Sequence, residues 1–196
     1  MKRTKFLLGA ILAVSVSILA CCGGENGGSS AKPSATSDIE SFNNSIVSNM
    51  TEVYSITSNA VMLDGGAEVY KNDTRVVVND KNTLSGSVSV DKYTLNKSFK
   101  LEKRTTVTSF SNLDSSKLFT YQLNNNYFTE YTIDNGVLSG KVKTESAGLF
   151  FNDSTLTVTG TPTFTFTLTD EKLSALSISY VSDGKTVTIN SSYVYY

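Results

Sequence analysis

Histidine and tryptophan are absent from this sequence, proline occurs twice, and cysteine occurs only as one adjacent pair, Cys21 and Cys22. Without histidine, the usual serine and cysteine triads, imidazole general-base chemistry and most zinc sites are out of reach. Two neighbouring thiols with no third cysteine cannot build a disulfide framework. With only Pro33 and Pro162 in the chain, strands can run uninterrupted. The formal charge of −1 lacks the strongly basic face that marks a nucleic-acid binder, so no nucleic-acid partner is expected. No glycine-rich phosphate loop and no EF-hand spacing occurs. Asp and Glu sit mostly beside Gly, Asn or Lys in apparent turns, where an acid is solvated rather than tuned. No catalytic residue, metal site or cofactor is therefore assigned, and an enzyme is the least favoured class.

What is present begins at the amino terminus. Lys2, Arg3 and Lys5 precede an apolar run from Phe6 to Ala20, which ends on the small residue Ala20 and then Cys21. A positive start, a short apolar stretch and a small residue before the cut are the parts of an export signal. The run is shorter than the roughly 20 apolar residues that span a bilayer, and it carries Ser15 and Ser17.

Ile18-Leu19-Ala20-Cys21 resembles the lipobox of bacterial lipoproteins. The resemblance implies cleavage before Cys21, a diacylglycerol on its sulfur and, often, an acylated new amino terminus. Leu19 stands where that family more often has a smaller residue, and Cys22 offers a second frame, Leu19-Ala20-Cys21-Cys22; Ala20 before the cut favours Cys21. More than one acyl chain is needed for a stable anchor, and the family's two or three on Cys21 meet that need. Cys22 is then a free thiol or an intermolecular bridge. In cells with two membranes, an Asp after the lipidated cysteine commonly signals inner-membrane retention in that family. Cys22 in that place favours the outer membrane.

Removal of residues 1–20 leaves 14 basic against 18 acidic side chains and one domain's length of chain. Gly23 to Ser37 is rich in Gly, Ser and Ala and cannot bury a core. The expected organisation is a signal over 1–20, a tether over 21–37 and a single domain over 38–196. A helix is expected from Asp38 to about Tyr54. Ser37 or Asp38 caps it, and Ile39, Phe42, Ile46 and Met50, with Val47 and Val53 or Tyr54, recur at spacings of three and four.

After Ser55 the period becomes two. Leu84, Val88 and Val90 alternate with serines, Leu156 and Val158 with threonines, and Phe164, Phe166 and Leu168 with Thr163 to Thr169. Leu176, Ile178 and Tyr180 alternate with Ser177 and Ser179, and Val187 and Ile189 follow the sharp Asp183-Gly184 turn. Further turn signals fall at 64–66, 72–73, 79–82, 124–126, 134–136 and 152–153, and Thr161-Pro162 marks a strand start. The predicted fold is mainly β: about ten strands in an antiparallel meander forming a curved sheet, half-barrel or barrel, with one N-terminal helix packed on it. Phe164, Phe166, Leu168, Leu176, Ile178, Tyr180, Val187 and Ile189 are the candidate core or ligand-facing residues. Tyr121, Tyr127, Phe128, Tyr131 and the Tyr193–Tyr196 ending are read mainly as core and cross-strand aromatics.

One helix, a long meander and the Phe164–Tyr180 and Asp183–Asn190 stretches resemble the layout of LolA-like and LppX-like lipoproteins, half-barrels that hold acyl chains under a helical lid. That resemblance implies a hydrophobic ligand or lipid; having one clear helix, the chain departs from the lidded pattern. The expectation is thus an envelope lipoprotein, membrane-bound through Cys21, whose domain binds such a ligand in a cavity of roughly 300–1,000 Å³. The alternative is a surface protein making protein contacts through sheet faces or an exposed edge, with partners the sequence does not name. A small outer-membrane barrel and a carboxylate-dependent hydrolase are minor alternatives. Lys100-Leu101-Glu102-Lys103-Arg104 is read as a solvated strand face with Phe99 and Leu101 opposite. It becomes a headgroup-binding patch only if folding brings further Lys or Arg beside it.

Overall fold

The alternation of apolar and hydroxyl residues is realised as one antiparallel sheet of nine strands. The computed structural model describes residues 35–196. The signal expected over 1–20, the attachment point Cys21 and residues 21–34 of the expected tether lie outside the described residues. Helix α1 (Ala35–Asn49) leads through a single 3₁₀ turn, Met50–Glu52, into β1 (Val53–Asp64), β2 (Ala67–Asp80), β3 (Ser85–Leu95) and β4 (Leu101–Phe110). A link over 111–127 then delivers β5 (Phe128–Asp134) and β6 (Val137–Val142). Short helix α2 (Ala147–Phe150) precedes β7 (Thr159–Thr169), β8 (Lys172–Ser182) and β9 (Lys185–Tyr195).

The spatial order β4-β3-β2-β1-β9-β8-β7-β6-β5 puts the first and last strands side by side in the middle. All eight neighbouring pairs are antiparallel. With an odd number of strands the two edges, β4 and β5, point the same way, so closure would demand a parallel pair, which is slightly less stable per residue. The sheet stays open, which settles the barrel alternative.

One face carries the core. From α1, Ile39, Phe42 and Ile46 are buried against it, joined by Met50 of the following turn, while Val47 is 48 % exposed and belongs to the outer side of the helix. Each such buried side chain contributes roughly 1.5–3 kcal/mol, so this one stripe is enough to hold α1 on β8. The helix ends five residues before the predicted Tyr54, because Val53 and Tyr54 belong to β1, where Val53 pairs with Tyr195 of β9. It also begins three residues before the predicted Asp38, so the last residues of the expected tether are helical.

On the opposite face one row is polar from edge to edge. Register places Thr105, Asp91, Asp73, Asn59, Asn190, Ser177, Thr165, Ser139 and Thr132 in one row across all nine strands. Thr105 donates to Asp91 at 2.7 Å, and the hydroxyls of Thr132 and Ser139 are 3.1 Å apart. A membrane barrel is the reverse, apolar outside and polar within.

Several local expectations give way to tertiary pairing. Asn72-Asp73, predicted as a turn, lies in the middle of β2, where both neighbours are paired and Asn72 is buried; pairing on both sides outweighs weak local propensity. Leu156 and Val158 form no strand: a turn in which Asp153 accepts from the backbone and hydroxyl of Thr155 folds this stretch over the core. Leu84 is a buried turn residue ahead of β3. Pro162 lies inside β7 rather than at its start. There the register with β8 shifts between Thr159 and Thr163, with Gly160 at φ 77°; the bulge spares the ladder bond that proline cannot make.

Candidate functional site

The residues expected to face a ligand are brought together, and they meet the protein's own side chains. Phe164, Phe166, Leu176, Ile178, Tyr180, Val187 and Ile189 are all buried in one cluster, with Leu168 half-buried at its margin. The link over 111–127 and the β6–β7 connection lie across this face, adding Leu118, Phe119, Tyr121, Phe150, Phe151 and Val158. Ring contacts are continuous: Phe128 to Phe164 at 4.7 Å, Phe150 to Phe164 at 5.5 Å, Phe119 to Phe166 at 5.8 Å and Phe151 to Tyr180 at 5.0 Å. These separations are ordinary for aromatic packing. Tyr121, Phe128 and Tyr193 are buried here as well, Phe128 within the core and Tyr121 and Tyr193 on the wall of a small cleft beside it.

The cleft beside this core, lined by Ile56, Ser58, Thr74, Val76, Tyr121, Ser191 and neighbours, measures about 30 Å³. It has room for about one or two waters and none for an acyl chain. Thr74 Oγ1, a buried hydroxyl without a partner, lines it. No Asp or Glu among the described residues is buried, and no group of three or more potential ligands among them could hold a metal.

A different arrangement appears where β3 turns into β4. Asn96 builds the turn: its Oδ1 accepts from the backbone N–H of Ser98 at 2.8 Å and of Lys100 at 3.0 Å, and its N–H donates to the Lys100 carbonyl at 2.8 Å. Its Nδ2 donates to Glu102 at 2.9 Å. Phe99 sits at the tip with φ 57° and is 85 % exposed. It is a turn residue, not the strand-face partner of Leu101 that the sequence predicted. A bulky residue in the left-handed region carries a conformational cost, and an exposed ring returns nothing to the core.

The strands behind this tip are basic. Residues 92–104 hold Lys92, Lys97, Lys100, Lys103 and Arg104 against one acid, Glu102. Pairing sets Lys92 opposite Arg104 and Tyr93 opposite both Lys103 and Lys71. The ammonium groups of Lys71 and Lys103 lie 5.2 and 5.9 Å from the Tyr93 ring centre, and that of Lys92 lies 5.6 Å from the Tyr70 ring centre, all within cation–π range. Folding therefore supplies the extra cations that the Lys100–Arg104 cluster lacks in sequence. Lys103 binds Asp91 at 2.7 Å and Lys71 binds Asp73 at 2.9 Å. The Lys103 hydrogen bond, helped by Thr105, holds the Asp91 carboxyl below its ordinary range. Lys97, Lys100 and Arg104 make no ion pair among the described residues. β4 itself is an open, almost wholly exposed edge, with Val107 66 % exposed.

Fold and surface together define an open antiparallel sheet domain with a self-filled inner face and a basic corner at one edge. No protein-family model matches the chain, and no curated protein matches it either.

Proposed function

We propose that this chain is an exported bacterial lipoprotein, held to the cell envelope by acyl chains on Cys21, in the outer membrane where the cell has two, and that its domain works through its outer surfaces without catalysis. The observation that carries the surface reading is the filled inner face: among the described residues, the face expected to hold a ligand is occupied by Phe119, Tyr121, Phe150 and Phe151, and the cleft beside them measures about 30 Å³. A hydrophobic cargo of acyl-chain size would have to displace the 111–127 link or α1. The anchor reading rests on the residues at 1–21, the basic start, the apolar run and Ala20-Cys21. The hydrolase alternative calls for two buried carboxylates facing one pocket; among the described residues no Asp or Glu side chain is buried as a whole, and Asp153 alone has a buried carboxylate oxygen without a partner.

Native mass spectrometry of the full-length protein purified from its own cells tests both parts. The expected mass is that of the chain from Cys21 onward plus acyl groups, with no second lipid retained. A lipid held in stoichiometric amount, and released without breaking the Cys21 thioether, would return the domain to the carrier class. Acylation that persists in Cys21→Ser would move the anchor to Cys22.

A further inference from the structure

We infer that the β3–β4 corner is a docking surface for an anionic lipid bilayer, with Phe99 entering the headgroup region and Lys92, Lys97, Lys100 and Arg104 meeting the lipid phosphates. Three independent observations point there. Phe99 is presented, not merely exposed: four hydrogen bonds made by Asn96 and the tip backbone fix the turn that holds its ring in solvent. Nothing in the core uses that ring, which is 85 % exposed. An aromatic residue among lysines is the combination that lies in a membrane interface, apolar body in the acyl boundary and cations at the phosphates.

Charge is the second observation. The chain as a whole is slightly acidic, at −1, yet residues 92–104 carry five cations and one acid. Lys97, Lys100 and Arg104 have no carboxylate partner among the described residues, so they meet an anionic surface without first breaking an ion pair. Of the neighbouring acids, Asp91 is paired with Lys103 and Asp73 with Lys71, while Glu102 accepts from the neutral Asn96 amide and keeps its charge. Glu102 within the corner and Glu68 on β2 near Lys71 are exposed acids with no ion pair among the described residues, and both oppose the attraction.

Third, the cations surround the tip instead of lining one face. Arg104 and Lys92 belong to one face of the sheet and Lys103 and Lys71 to the other, as strand alternation and register require. Lys97 and Lys100 stand on either side of Phe99 in the chain. A surface approached end-on by the hairpin therefore meets Lys97, Lys100 and Arg104, unpaired among the described residues, together with Lys92, while Lys103 and Lys71 on the other face are paired with Asp91 and Asp73. Such a contact is weak alone. In a chain acylated at Cys21, as proposed above, it becomes intramolecular and sets how the domain stands on the membrane.

The test removes the acyl anchor so that the two readings fail separately. The chain from residue 21 onward carrying Cys21→Ser is mixed with sedimentable vesicles of phosphatidylcholine alone, or with about 30 % phosphatidylglycerol, at about 0.05 and 0.5 M salt. Binding is expected on the anionic vesicles at low salt, with loss on neutral vesicles and at high salt as screening shortens the range of attraction. Phe99→Ser is expected to weaken binding about tenfold, and Lys97→Glu with Lys100→Glu by at least as much. Both variants should melt like the parent, since neither touches the core. Absence of binding to anionic vesicles, equal binding to neutral ones, or variants that bind like the parent would each overturn the inference. So would retention on a heparin column without vesicle binding, which would make the corner a site for a soluble polyanion.

Discussion

Ser191 on β9 donates its hydroxyl hydrogen to Ser58 on β1 at 2.9 Å, a buried bond joining residues 133 positions apart. It sits on the seam where the first and last strands of the sheet meet, in register with each other. Within the sheet ladder, β1 to β4 and β5 to β9 pair with each other only along this seam, because the outer edges never pair. A polar pair in that position satisfies itself and leaves neither hydroxyl stranded.

Ser191→Ala is expected to cost about 1–2 kcal/mol, since Ser58 then loses its partner while remaining buried. Ser58→Ala together with Ser191→Ala is expected to cost less than the two single changes added, because no orphan remains. Urea denaturation of the four proteins in the cycle measures both.

The aromatic core and the hairpin tip make a matched contrast. Phe166 is fully buried between Phe119, Tyr121 and Phe150, so Phe166→Ala is expected to cost about 3–5 kcal/mol. Phe99→Ala is expected to stay within about 0.5 kcal/mol of the parent, as surface changes do. Thermal or urea melts of both variants decide this, and a large loss at Phe99 would mean that the ring packs on something.

Gly86 is required by close approach. A Cβ at that position would run into the Val77 carbonyl on β2, with the Phe110 ring 3.0 Å away on β4. Backbone cannot yield as a side-chain end can, so Gly86→Ala is expected to destabilise by about 1–3 kcal/mol. It should also loosen the β2–β3 ladder, visible as faster amide exchange in β3 and β4 than in β8 and β9.

Alkaline unfolding follows from the buried phenols. Burial pushes the Tyr121, Tyr180 and Tyr193 hydroxyls well above their ordinary value of 10, and lifts Tyr70 and Tyr195 to about 12. A raised folded-state pKa means that stability is intact below pH 10, the unfolded value, and is lost progressively as pH rises through the folded values. The buried tyrosines are expected to ionise only above pH 10, together with the loss of far-ultraviolet circular dichroism. A single smooth titration near pH 10 with the fold intact would contradict this.

Local pattern was strongest where one face is dry and the other wet. Phe164, Phe166, Leu176, Ile178 and Tyr180 alternate with Ser and Thr, and all five are buried in the core. The Asp183-Gly184 hairpin is where the sequence places it, between β8 and β9. Pattern failed where long-range pairing or capping outweighs it, as at Asn72-Asp73, held in β2 by partners on both sides, and at Leu156 and Val158, folded into a cover over the rings. The basic corner was half legible. Lys100 to Arg104 stand together in the chain, but Lys92 and Lys71 join them only through β-sheet register, which depends on every intervening turn.

The sequence by itself determined that this is a β domain behind a basic, apolar, cysteine-ended start, because residue periodicity and composition act over a few neighbouring positions. Only the tertiary structure decided that the sheet is open, that β1 and β9 are neighbours, and that the apolar face is closed by its own aromatic links. An odd strand count makes the edges parallel, and the chain between them crosses the dry face on its way from one edge to the other. That crossing packs Leu118, Phe119 and Tyr121 onto the dry face where a ligand was expected, and leaves the β3–β4 hairpin at the open edge of the sheet.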